Sequence, residues 1–228
     1  MQKRERLLEL GRHRRLTRWP GYGCISDYHG GAYECDFVSP YTKSAENVDA
    51  SVMVVLQDWS SHEWLVGPRH SEVEKLGRMP SLPTNRNLEA LLLQHFGLHL
   101  AETYATNLFP FVKRGSMTAP IRMKDLVCAA REFALPQIQI VEPALVICLG
   151  KACVNALRIA SGHDPAPSLE AAVNQPFSIG VSDVWCQAHT GAIGQNIRNR
   201  GGVNRVTEDW SRMASEFRKL KVAQSPTV

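Results

Sequence analysis

The 228-residue sequence contains no apolar run near the roughly 18 to 20 residues needed to span a membrane. It also opens on charge instead of the apolar core of a signal peptide. Membrane insertion and secretion are therefore not expected, and a cytoplasmic location is. Its six cysteines, Cys24, Cys35, Cys128, Cys148, Cys153 and Cys186, include no C-x-x-C pair. A chain of this size needs no disulfide framework, so they read as reduced thiols. Cys148 and Cys153 fall in an apolar strand and the helix after it, where free cysteine behaves as a small hydrophobe. Repeats, heptads, low-complexity tracts and a clear linker are also missing, which leaves no basis for dividing the body of the chain. With 44% hydrophobic and 21% charged residues, the composition is that of an ordinary globular protein, and one core suffices.

The charge that is present is unevenly placed. The whole chain carries +4, yet residues 1–18 alone hold seven Lys/Arg against Glu5 and Glu9, so the remainder is close to neutral. We read residues 1–18 as a basic N-terminal arm and residues 19–228 as a single domain. A basic arm on a near-neutral body suits a polyanion such as nucleic acid; a solvated helix is the plainer alternative.

Residues 19–50 are punctuated by Gly21, Gly23, Gly30, Gly31 and Pro40 and read as ordered loop. Ser51–Leu56 is a short apolar run with β-branched residues, the signature of a strand buried on both faces. Leu88, Leu91, Leu92, His95 and Phe96 follow at helical spacing, with Gly97 as a stop. Further strands are expected at Thr103–Phe109, Ala144–Leu149 and Val184–Ala188, with Phe177–Val181 as a weaker candidate. Helices are expected at Lys124–Val141, Lys151–Ser161 and Glu208–Leu220. This alternation predicts an α/β fold, a three-layer α/β/α sandwich around a mostly parallel four-stranded sheet.

Open parallel sheets bind ligands beyond the carboxyl ends of their strands. There the sequence supplies Gln57-Asp58-Trp59-Ser60-Ser61 after the first strand, Asn107 at the second, and His189-Thr190-Gly191 after the fourth. Singly, these are ordinary caps and loop residues. Together they offer a carboxylate, a carboxamide and an imidazole to one rim. The trio suits cleavage of an N-glycosidic bond, in which the sugar becomes cationic and the departing base anionic. A carboxylate favours the cation and positions water. An imidazole holds the base oxygen, and a carboxamide reads the edge of an extruded base.

In these motifs the sequence resembles the uracil-DNA glycosylase superfamily over about residues 50–200, in the same order. Gln57-Asp58-Trp59-Ser60-Ser61 resembles the motif Gly-Gln-Asp-Pro-Tyr, and Asn107 resembles the strand-end Asn that reads the base. Pro143–Gly150 resembles the strand Pro-x-x-x-(apolar)-Leu-Gly, and His189-Thr190-Gly191-Ala192-Ile193 resembles His-Pro-Ser-Pro-Leu. The resemblance implies that Asp58 and His189 are catalytic, that Gln57, Trp59, Ser60 and Asn107 bind the base, and that Ile193 is a wedge entering the base stack. Ser61, Thr190, Gly191, Arg198 and Arg200 are the further DNA contacts it implies. The partner is DNA holding uracil or a related damaged base, and the activity is monofunctional, since no strand-end lysine is apparent for a Schiff base. No metal or other cofactor is expected, because Phe111 stands where cluster-bearing branches place a cysteine.

The departures bear on scope. Leu56 replaces the motif's glycine, Trp59 its proline, and Thr190 the proline after histidine, while Ser60 stands where a tyrosine rejects the methyl group of thymine. No aromatic occurs in Gly77–Ser81, so Trp59 or Trp64 is left to stack on the base. Two alternatives stay open: a glycosylase acting on xanthine, hypoxanthine or thymine mispairs, and a homologue that binds uracil or abasic DNA without turnover.

Overall fold

A computed structural model of the chain describes residues 2–224. The central element is β1 (Val52–Asp58), whose side chains alternate between two apolar layers. Met53 and Val55 pack on one side, and Val52, Val54 and Leu56 on the other. Helix α1 (Lys3–Leu16) precedes it, and short helices α2 (His62–Leu65) and α3 (Ser71–Leu76) lead from it to α4 (Pro83–Phe96) and β2 (Tyr104–Phe109). Then follow α5 (Met123–Ala129), α6 (Leu135–Val141), β3 (Leu145–Leu149), α7 (Lys151–Ala160) and α8 (Leu169–Asn174). The chain continues through β4 (Phe177–Ile179), β5 (Ser182–Gln187), α9 (Ala192–Arg198) and α10 (Arg205–Gln224).

The sheet order is β2-β1-β3-β5-β4, parallel except for β4. Residues of α5 to α7 cover one face, and α4 and α10 the other, an arrangement consistent with a three-layer sandwich. The sheet has five strands where the sequence predicted four. The additional strand is the weak candidate around Phe177, which pairs antiparallel with β5 as a hairpin. Gly180 sits at the turn with φ +58°, a conformation glycine adopts without strain, and so lets the chain reverse within two residues. The first strand also runs two residues further than its apolar pattern indicated, because Asp58 still pairs with Phe109.

The single helix expected at Lys124–Val141 is continuous but widened by a π-helical turn over Ala130–Ala134. Pro136 follows that turn after one intervening residue, Leu135. Proline lacks an N–H and crowds the carbonyl four residues earlier, and the wider turn relieves both problems without breaking the helix.

The basic segment 1–18 does not stand free. Leu7 of α1 is fully buried, and the Arg14 guanidinium forks onto both oxygens of Glu34 (2.8 and 2.9 Å) and onto the carbonyl of Phe37. Arg15 meets Cys35 and Asp36, and Lys3 meets the carbonyl of Val141. Much of the positive charge therefore docks the helix onto the body. Arg14→Ala removes the partner of the half-buried Glu34 and should lower stability by about 3 kcal/mol. The midpoint of urea unfolding measures this, and an unshifted midpoint would show that α1 is only loosely attached.

Candidate active site

Connections leave β1 toward β2 and β3 toward β5, in opposite directions, which opens a crevice beyond the strand ends. A cavity of about 650 Å³ lies there. Asp58, Asn107 and His189, drawn from β1, β2 and the loop after β5, all line it, together with Gln57, Trp59 and Ser60. The three chemically distinct groups anticipated from the sequence thus share one opening.

Asp58 is held at both oxygens. The Gln57 amide donates to Oδ1 at 2.8 Å, and the Lys113 ammonium sits 2.8 Å from Oδ2. The two side chains are only 9% and 4% exposed, so this ion pair is desolvated on every side except the cavity. Lys113 also donates to the carbonyl of Met117. Its own backbone bridges to Ser61, and its carbonyl accepts the His62 N–H at 2.8 Å, which ties the loops after β1 and β2 together.

Asn107 is buried, with a defined amide orientation. The Tyr41 N–H donates to Ser39 Oγ, and the Ser39 hydroxyl donates to Asn107 Oδ1 at 2.6 Å. The Nδ2 group, by contrast, is buried without a partner. An unsatisfied buried donor costs about 1–3 kcal/mol, which a ligand carbonyl reaching it would recover.

His189 is open to solvent at the mouth. Its Nδ1 accepts the N–H of Gly191 at 3.0 Å, so the neutral ring carries its proton on Nε2. Burial pushes its pKa below the ordinary imidazole value; Asp58 pulls it up, and Lys113 pushes it down further. The residue's accessible surface is what a ligand would cover, so occupancy adds to the dominant desolvation and keeps the direction. The loop that carries His189 is clamped to α4: the Thr190 hydroxyl donates to the Thr84 carbonyl, and Asn87 donates to the Thr190 carbonyl.

The aromatic wall is wider than expected. Trp59 lines the cavity with its indole N–H fixed on the Gly77 carbonyl at 2.7 Å. Gly77 has φ +69°, and a Cβ there would fall on the Pro40 carbonyl, so only glycine allows this loop to close on the 40s segment. Trp64 also lines the cavity, stacked on His70 at 5.1 Å, and so does Tyr41. Met117 also lines the cavity, its Sδ 3.9 Å from the buried Ser60 Oγ.

Several anticipated DNA contacts are placed otherwise. Arg198 is buried and forks onto Asp209 (2.7 and 3.0 Å) as well as pairing with Glu170, so it ties α9 to α10 and α8. Ser61 is fully buried beside Lys113, and Thr190 is fully buried in the clamp to α4. Gly191 lines the cavity and serves His189 through its N–H. Ile193 lies at the rim and is 68% exposed, and Arg200 is exposed beyond α9. Lys113, Tyr41 and Met117 were not anticipated. Lys113 stands four residues past the end of β2. The strand end at Phe109 is legible in the sequence, but Lys113 lies beyond it in a loop, where no pattern marks a residue as facing the cavity. No protein-family model and no curated protein matches the chain.

His189 has a folded pKa lowered from 6.5, so the unfolded state binds more protons around that pH. Its contribution to stability is complete above pH 6.5 and is lost as pH falls through the folded pKa. NMR titration of the imidazole Cε1–H should give a midpoint below 6.5, and Lys113→Met should move it upward because Asp58 then acts unopposed. A midpoint at or above 6.5 in the unaltered protein would contradict this electrostatic account.

Proposed function

We propose that the protein is a DNA glycosylase that hydrolyses the bond between deoxyribose and an extruded deaminated base, uracil foremost, within a uracil-DNA glycosylase-like fold. The supporting observation is the convergence of Asp58, Asn107 and His189 on one cavity with complementary hydrogen-bonding states.

Each state fits one need of the reaction. The Asp58 carboxylate faces the sugar as positive charge develops and orients the attacking water. The neutral His189 offers Nε2–H to a base oxygen that gains negative charge as the bond breaks. The free Nδ2–H₂ of Asn107 seeks an acceptor. Uracil presents a carbonyl where cytosine presents an amino group, and donor facing donor would leave both unpaired in a dry site. Hypoxanthine and xanthine carry a carbonyl in the corresponding position, and a cavity of about 650 Å³ keeps these purines as a second reading. Trp59 and Tyr41 offer faces for the base.

The rim suits a base that must leave its stack. Leu82, Met117 and Ile193, from three separate segments, line the opening with exposed apolar side chains. Arg86, Arg114 and Arg200 are exposed on adjoining segments and suit phosphates.

Oligonucleotides each carrying one modified base, treated with protein and then alkali, test the assignment. Strands with uracil should break. Intact uracil strands alongside broken xanthine or hypoxanthine strands would move the substrate to purines, and no breakage at all would remove the activity. Asp58→Asn should slow base release by about 10²- to 10⁴-fold with little change in DNA affinity. Ile193→Ala should impair action on duplexes more than on single strands, and equal losses on both would exclude a wedge.

A further inference from the structure

The Lys113–Asp58 pair supplies chemistry that base hydrolysis does not use. Lys113 carries a primary amine 2.8 Å from a carboxylate, almost wholly removed from solvent yet lining the cavity. It is the one lysine among the cavity-lining residues. Its backbone is fixed by the bridge to Ser61, so its position is built into the fold. As cement for the interior, such a pair is a poor choice: two desolvated charges stabilise little more than apolar side chains of the same volume. At an open cavity, an amine with an adjacent proton acceptor is a constellation for attack on a carbonyl.

We propose that Lys113 forms an imine with the aldehyde form of an abasic deoxyribose, which makes this protein an abasic-site lyase as well. The inference rests on the proposed glycosylase reading only in that abasic DNA is then the protein's own product. Lys113 first passes one ammonium proton to Asp58 Oδ2. The freed lone pair attacks C1′ of the ring-opened sugar, forming a C–N bond. The carbonyl oxygen takes back the proton from Asp58 and a second proton from nitrogen, and leaves as water. The product is a protonated imine with Asp58 again a carboxylate. Asp58 then removes a proton from C2′, a C2′–C3′ double bond forms, and the 3′ phosphate departs with the electron pair of its C–O bond. Asp58 passes the C2′ proton to the departing phosphate, and water hydrolyses the protonated imine, releasing an unsaturated aldehyde and restoring the lysine as its ammonium beside the carboxylate. No oxidant or reductant is consumed.

Borohydride reduces such an imine to a stable amine and traps the protein on DNA. The full-length protein is incubated with borohydride and either a uracil oligonucleotide or one whose base has been removed beforehand. Denaturing electrophoresis detects the adduct, and peptide mass spectrometry locates it. The expected result is a shifted band with both DNAs and an adduct on Lys113. Lys113→Arg keeps a cation beside Asp58 without a primary amine, and should lose trapping by about a hundredfold relative to its own base release. If the arginine variant does not fold, the adduct position in the unaltered protein still decides. Uracil release without a trapped band on either DNA, or an adduct on another amine, overturns the proposal. Trapping of abasic DNA through Lys113 without uracil release sustains the lyase and removes the glycosylase.

Discussion

The ion pair between Asp58 and Lys113 is the interaction on which the site depends. A carboxylate with so little solvent around it must either be neutralised or be given donors at each oxygen. Gln57 and Lys113 provide those donors. Because Lys113 belongs to the loop after β2 and Asp58 to the end of β1, the same contact sets the spacing of the two strand ends. Asn107 sits two residues before the end of β2, so the position of its amide relative to the carboxylate follows from the same register.

The pair also governs the imidazole across the cavity. His189 experiences an anion and a cation with opposed effects, and desolvation outweighs both. An unpaired Asp58 would favour imidazolium, and in the proposed reading the site would then hold a charged donor that the departing base could deprotonate. A neutral imidazole, with Nδ1 occupied by the Gly191 N–H, donates through Nε2 without being a strong acid. The Thr190 hydroxyl bond to the Thr84 carbonyl restrains the loop that carries this imidazole.

Much of this arrangement was legible in the sequence, for identifiable reasons. Strands buried on both faces appear as β-branched apolar runs, and in a parallel sheet the polar residues that end those runs must emerge on one side. Asp58, Asn107 and His189 could therefore be grouped from position alone. Partnership across the chain could not. Arg198 looks like a phosphate contact in a basic stretch, but Asp209 and Glu170 approach it only after α8 and α10 pack. Lys113 is separated from Asp58 by 55 positions and follows a strand without ending it, so neither spacing nor hydropathy marks it. β4 was weak because three residues give little alternation, and its pairing depends on the turn at Gly180.

The balance of charge divides the work between cavity and rim. Asp58 is matched by Lys113, the cavity-lining Arg78 is matched by Glu89, and His189 is held toward its neutral form, so the charges around the cavity are paired. In the proposed reading, attraction for a phosphate backbone then comes from outside it. The basic helix α1 contributes no residue to the cavity, and its Arg14 and Arg15 are committed to acids and carbonyls of the body. Leu82, Met117 and Ile193 line the opening, and Arg86 and Arg114 are exposed a few positions along the chain from lining residues, with Arg200 exposed just beyond α9. In the proposed reading, those arginines hold the backbone while the apolar side chains fill the gap left in the base stack. In the same reading the charges of the cavity are paired before reaction, and the carboxylate and the imidazole N–H are in place to favour the charge that forms at the two ends of the breaking glycosidic bond.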